Sequence, residues 1–262
     1  MPEKIKPLKG FGQNYLIDKN IINKIVDTFN PQPNQNIVEI GPGTGALTKL
    51  LYEKIGPFTV VEIDKRVINN LQNELPGLNI INNDFLEINL SEQSQPQKKI
   101  RIIGNIPYYI TSSIIFKMIF NRAIISDSLL MVQYEVAKRM TAQKGTKDYG
   151  ILGVLLNYFT HTEICFKISP NVFYPKPKVW SAIVHIKFDK ETDQMIDDED
   201  FIKVVKASFG NRRKTLKNSL SNSIFANKIS ELKNFPLERR AEELSVQDFI
   251  NLTKFLTENP DG

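Results

Sequence analysis

The chain has 262 residues, 34 Lys plus Arg against 29 Asp plus Glu, and 41% hydrophobic residues, proportions that exclude a disordered or collagen-like chain and suit one or two domains. Its single cysteine, Cys165, excludes a disulfide framework and suits a reducing compartment, while two scattered histidines, His161 and His185, exclude the usual zinc constellations. No run approaches the roughly 18 apolar residues a membrane helix needs, and no apolar signal core follows the charged N-terminus, so a soluble cytoplasmic protein is expected.

Short apolar runs at 36–40, 58–63, 78–81, 100–104, 129–133, 162–168 and 181–188 read as buried strands. Between several of them, 46–54, 65–75 and 112–120 carry apolar residues at three- and four-residue spacing and read as helices. Strand and helix alternating in this way predict a parallel sheet with helices on both faces. No helix separates the last two strands, which are expected to form an antiparallel hairpin at one edge.

Residues 189–200 hold seven acids and one Lys, and 201–217 hold six basic residues and no acid. The acidic run is expected to be a solvated linker and the domain boundary. This divides the chain into an α/β domain over 1–188 and a small all-α domain over 189–262. Ser245 followed by Asp248 is a plausible helix start in the second.

The strand at 36–40 runs into Gly41-Pro42-Gly43-Thr44-Gly45. Glycines there let the backbone turn tightly and approach a ligand, with helix N-terminal amides facing it. The spacing is G-x-G-x-G, not the G-x-G-x-x-G of dinucleotide folds. Glu62 closes the next strand, 21 residues after Gly41, where a carboxylate can accept both hydroxyls of a ribose. Asp84 follows the third strand; it can accept from an adenine amine or simply cap a turn.

Asn105-Ile106-Pro107-Tyr108 directly follows the fourth strand. Pro107 stiffens the loop and Tyr108 offers a flat face, although a turn Asn and a packed Tyr would look the same. An adenine amine is a weak nucleophile because its lone pair is delocalised into the ring. Two acceptors, the Asn105 side-chain carbonyl and a backbone carbonyl such as that of Ile106, can hold both N–H groups and stabilise the charge that develops on methyl transfer. Phe173, in the Pro-rich stretch 173–181, can form the opposite wall of a base pocket or be a core aromatic. His161, His185 and Cys165 lie in strand-like runs and are expected to be structural.

In this order the segments resemble the ribosomal RNA adenine dimethyltransferase family over nearly the whole chain. Phe11–Leu16 is similar to its F-G-Q-[HN]-F-L, Val38–Thr48 to its cofactor loop, and Val61–Asp64 to its V-E-x-D. Asn105–Tyr108 matches N-[LI]-P-Y, and Phe173–Ser181 matches F-x-P-x-P-x-V-x-S. The resemblance implies a class I, Rossmann-like methyltransferase using S-adenosylmethionine. It implies cofactor contacts at Asn14, Leu16, Gly41, Gly43, Gly45, Glu62, Asp84 and Asn105, and adenine positioning by Asn105, Pro107, Tyr108 and Phe173. The implied substrate is a pair of adjacent adenines in the 3′-terminal hairpin loop of 16S rRNA, in the immature 30S subunit.

Ser208–Leu220 resembles the F-x-x-R-R-K-T-[LI]-[RK]-N-x-L segment of the small-subunit branch, so Arg212, Arg213, Lys214 and Lys217 are expected to contact RNA phosphates. The chain departs from the family pattern at Gly10, Tyr109 and Tyr134. A large-subunit methylase of the erythromycin-resistance type shares the catalytic motifs, and a non-catalytic assembly factor is the other alternative. A monomer needing neither metal nor membrane is expected.

Overall fold

The computed structural model of the chain describes Pro7 and residues 13–94, 97–211, 213–232 and 235–257. Phe11, Gly12, Gly10 and Arg212 lie outside them. The described residues fall into two compact units, 1–137 with 163–188, and 138–162 with 189–262.

The first unit carries β1 (Tyr15–Leu16), α1 (Lys19–Phe29), β2 (Asn36–Ile40), α2 (Ala46–Ile55), β3 (Thr59–Glu62), α3 (Lys65–Glu74), β4 (Asn79–Asn82), β5 (Ile100–Asn105), α4 (Thr111–Phe120) and β6 (Ile125–Gln133). After α5 (Tyr134–Met140) and α6 (Ile151–Phe159) come β7 (His161–Ile168), β8 (Phe173–Tyr174) and β9 (Ser181–Lys187). Seven strands form one sheet in the order β4-β3-β2-β5-β6-β9-β7. The pairs from β4 through β6 are parallel, and β9 runs antiparallel to β6. The last two strands are neighbours, as expected, but β9 is interior, inserted between β6 and β7, which takes the edge.

Central strands of a parallel sheet are covered on both faces, and all five residues of β2 are buried. Gly104 in β5 follows from this crowding: a β-carbon there would lie 2.6 Å from the Ile40 carbonyl oxygen of β2. Helix α1, absent from the sequence expectations, has a local cause. Asp18 caps it by accepting from the Asn20 and Ile21 amides, and Ile25, Val26 and Phe29 bury one face. Each such side chain contributes about 1.5–3 kcal/mol by leaving water. The chain winds from β2 outward to β4, then returns to the other side of β2 as β5. The C-terminal ends of β2 and β5 are therefore a topological switch point, where open α/β sheets leave a crevice.

Arg101, at the opposite end of β5, donates to both carboxylate oxygens of Asp127 on β6 and to the Phe29 carbonyl at the end of α1. His185 of β9 reaches Asp127 Oδ2 at 2.9 Å. Burial pushes the Asp127 carboxyl up, but the Arg101 and His185 bonds outweigh it and hold the group well below the usual range. His185 is thus structural. His161 instead is exposed and pairs with Asp189 at 2.8 Å. Cys165 is half-buried, and that burial pushes its thiol pKa up.

The second unit joins α6 to α7 (Asp198–Ser208), α8 (Leu216–Ser221) and α9 (Val246–Thr257). After residue 189 the described residues form helices and 3-10 turns and no strand. Segment 138–162, placed with the first domain from sequence, clusters with this unit because α6 is apolar on nearly every face. Its Tyr158 ring lies 4.0 Å from that of Phe201 in α7. The acidic run is only partly linker: Asp197 caps α7 and Asp198, Glu199 and Asp200 form its first turn, where carboxylates complement the helix dipole. Ser245 and Asp248 do form a reciprocal cap on α9. Among the described residues, no helix is long and apolar enough to cross a membrane.

Candidate active site

A cleft opens at the switch point, where ligand sites of open α/β sheets lie. Its floor is the loop between β2 and α2. Gly41, Gly43 and Gly45 have φ of +64°, +54° and +80°, conformations that disfavour a side chain. Gly41 and Gly43 line the cleft. Gly45 does not; it caps α2, and a β-carbon there would lie 2.9 Å from Leu71. Its role is to let the helix start close to α3.

Glu62 stands at the end of β3, nearly buried. One carboxylate oxygen accepts from the Ile63 and Asp64 amides, both at 2.9 Å, and the other from the Gly43 amide at 3.3 Å. Burial raises its pKa, and these three amide bonds oppose the rise. The carboxylate is thus fixed in orientation before any ligand arrives. Asp64 caps α3, pairs with Arg66 at 2.6 Å, and accepts from the Gln13 amide at 3.1 Å. Tyr15 donates to Gln13 Oε1. This chain of bonds holds the segment before β1 against the cleft, and sequence spacing gave no sign of it.

Asp84 lines the cleft beyond Glu62, one oxygen accepting from the Leu86 amide at 2.8 Å. It forms the turn, as one sequence option held, and it does so on the lining of the cleft. The Lys117 ammonium of α4 donates to the Leu86 and Ile88 carbonyls at 2.8 and 2.6 Å and fixes that turn.

Asn105 ends β5 on the other side of the switch point. Its amide nitrogen donates to the Asn14 carbonyl at 2.9 Å, which determines that the Oδ1 end is left to accept. In the loop that follows, the Pro107 carbonyl accepts from the Ile110 amide, and the Tyr108 carbonyl from the Thr111 hydroxyl. Ile106 also lines the cleft beside Asn105. Tyr108 lines the cleft and its hydroxyl is 2.8 Å from Ser181 Oγ; burial pushes the phenol pKa up and the Ser181 bond opposes it. Tyr109 is exposed.

Asn14, Leu16, Pro107 and Tyr108 thus meet Gly41, Glu62, Asp84 and Asn105 in one cleft. Phe173 is not among its lining residues. It is buried in the core beside Leu16, its register partner across the β1–β8 pair. Of the two options, base-pocket wall or core aromatic, the ring takes the core, where an apolar side chain next to β1 finds more contact.

Glu39 of β2 also lines the cleft, 1% exposed, with Oε2 lacking a hydrogen bond. Burial pushes its pKa up to about 8, Glu62 adds to the rise, and the neighbouring Thr48 hydroxyl lowers it. A buried carboxylate at Glu62 and a second at Asp84, on a cleft whose glycine loop leaves room for close approach, fit an adenosine; the Glu39 oxygen without a partner adds an unmet polar demand to the lining. The residues present fit S-adenosylmethionine.

In the second unit Arg213, Lys214 and Lys217 are exposed, just before α8 and in its first turn. Among the described residues none of the three forms an ion pair.

Fold and cleft together define a class I methyltransferase. Residues 6–258 match the family model described as ribosomal RNA adenine dimethylase. The chain belongs to that family. It is 43% identical over 244 residues to the ribosomal RNA small subunit methyltransferase A of Chlorobium phaeobacteroides, covering 93% of this chain and 89% of that one. With the protein of the same name from Francisella tularensis it shares 41% over 264 residues, 98% and 100% covered. A dimethyladenosine transferase from Plasmodium falciparum has the same fold at a TM-score of 0.74 and 26% identity, covering 90% and 95%. The 23S rRNA methyltransferase ErmE shares the fold at 0.66 and 24% identity, covering 94% and 100%.

Proposed function

We propose that the chain dimethylates the N6 amines of two adjacent adenines in the 3′-terminal hairpin loop of 16S rRNA, within the immature 30S subunit. The observation that carries the reading is Asn105, its amide nitrogen committed to the Asn14 carbonyl so that Oδ1 is left to accept, on the lining of a cleft that fits an adenosine cofactor. S-adenosylmethionine, when bound, supplies the electrophilic methyl group.

The chain's own part is orientation and electrostatics. Glu62 holds a ribose diol, Asp84 accepts from the cofactor's adenine amine, and the glycine loop, free of side chains, lets the cofactor lie close to the backbone. At the other side Asn105 and Ile106 accept the two N–H groups of the target amine. Drawing both into one plane of acceptors localises the lone pair and stabilises the positive charge that grows on nitrogen. Tyr108, tied to Ser181, offers its face to the extruded base, and leaving the stack costs less for a base in a hairpin loop. Phe173 acts through β1, holding the strand that follows Asn14, whose carbonyl orients Asn105. Arg213, Lys214 and Lys217, with Arg212, contact RNA phosphates.

Labelled methyl transfer to undermethylated 30S and 50S subunits, followed by nucleoside mass spectrometry, tests the reading. Dimethyladenine in 30S alone is expected. Label in 50S would move the activity to large-subunit RNA, and tight 30S binding without label would leave an assembly factor.

A further inference from the structure

The segment leading into β9 carries an exposed aromatic surface that the reaction does not use. Tyr174, Val179 and Trp180 are 63%, 42% and 52% exposed. Large apolar rings in water are unfavourable, and these are not loosely held. The Trp180 carbonyl accepts from the Tyr134 amide at 2.8 Å. Between the two rings stands Lys167, its ammonium 3.9 Å from the centre of Tyr134 and 5.6 Å from that of Trp180. The indole is thus fixed in place while half its surface remains open.

Its position relative to the cleft follows from strand register. Asn105 on β5 pairs with Met131 on β6, and Gln133, two residues further, pairs with Ser181 at the start of β9. Trp180 therefore stands at the same end of the sheet as Asn105. The residue after it, Ser181, is the one that binds the Tyr108 hydroxyl. Lysines flank Trp180: Lys176 and Lys178 precede it in the same segment, and Lys167 lies behind the ring. An open π-face flanked by lysines, beside a cleft that takes one base, is suited to the next base of a polyanion. An acidic protein segment would match the same lysines, but the ring's place at the Asn105 end of the sheet favours a nucleotide.

We propose that Trp180, with Lys167 behind it, is a stacking platform for an unpaired nucleotide of the RNA that flanks the target adenine. This rests on the RNA substrate proposed above. Stacking is sequence-tolerant, so the platform sets the affinity and path of the strand, not the identity of the base.

The test compares wild type, Trp180→Ala and Trp180→Phe on undermethylated 30S subunits. Trp180→Ala should raise the KM for subunits roughly 10-fold, within the range that loss of one stacked base implies. kcat, the Kd for S-adenosylmethionine and Tm should stay near wild type, and Trp180→Phe should restore most of the loss. Trp180 is the only tryptophan of the chain, so protein-free 16S rRNA should also quench its emission. An unchanged KM in Trp180→Ala, or bound RNA without quenching, overturns the platform and leaves the methylation reading intact. A wild-type protein that labels no 30S subunit fails that reading itself, and the RNA occupant with it.

Discussion

The side-chain amide of Asn105 donates to the main-chain carbonyl of Asn14, 91 residues earlier in the chain, at 2.9 Å. An asparagine end is ambiguous until its nitrogen is committed, and this bond commits it. The acceptor end is what the proposed chemistry needs. Asn105→Ala should therefore lower kcat by at least 10²–10³-fold, the range for losing one group that stabilises developing charge. Its Tm and its affinity for 30S subunits should stay close to wild type. Turnover within a few fold of normal would remove the amine-polarising role.

In the proposed reaction Glu62 meets the cofactor's ribose, not the reacting nitrogen. Replacing it by Gln keeps the size and weakens a charged acceptor. The Kd for S-adenosylmethionine, measured by calorimetry, should rise roughly 10- to 100-fold, as expected from the 1.5–3 kcal/mol of a charge-assisted hydrogen bond. At saturating cofactor kcat should change little. A collapsed kcat at unchanged cofactor Kd would contradict the assignment.

The buried Glu39 carboxyl has a sign that can be worked out. Its pKa in the fold is pushed up to about 8, whereas in the unfolded chain it returns to the ordinary value near ~4.3. Between these values the folded state holds a proton that the unfolded state has lost, so stability falls as pH rises across that window and changes little from this group outside it. Glu39→Gln removes the dependence. Its Tm should exceed that of wild type at pH 8, and the gap should close toward pH 4.5. Parallel Tm–pH curves for the two proteins would show that Glu39 is ionised in the fold.

The exposed basic residues before α8 should act on affinity and not on chemistry. Replacing Arg213, Lys214 and Lys217 together by Ala should raise the KM for 30S subunits and leave kcat unchanged. Each lost phosphate contact removes roughly 0.7–0.9 from the slope of log affinity against log salt, so the slope should fall by about two to three. An unchanged slope would mean that RNA does not touch this face.

The glycine loop, Glu62 and the Asn105 tetrapeptide were legible in sequence because each combines a strand end with an unusual residue at fixed spacing. Phe173 was not, since an aromatic in a Pro-rich loop reads the same whether it faces a ligand or the core; only its register with Leu16 decides. Segment 138–162 clusters with the second unit and not with the residues that precede it: α6 is apolar on nearly every face, and hydrophobicity does not say which unit will cover it. Lys117 and Gln13 hold cleft residues through bonds spanning about 30 and 51 positions, which no local pattern records. Gly104 shows a middle case. A glycine inside a strand signals a close approach, but the Ile40 carbonyl that approaches is known only once β5 lies beside β2.

The place of β9 constrains how the molecule is made. Synthesis runs from the N-terminus, so β6 and β7 leave the ribosome before the strand that separates them. Until residues 181–187 emerge, β6 presents an unpaired row of amides and carbonyls, and pairing it directly with β7 would give a shorter, wrong sheet. Unpaired edges of this kind are where nascent chains associate with one another. The final strand of this unit, read as the tail of a hairpin, is thus the wedge that closes the sheet. Its arrival also brings Ser181 to Tyr108, so a truncated chain ending before 181 would lack both the complete sheet and one support of the proposed base site.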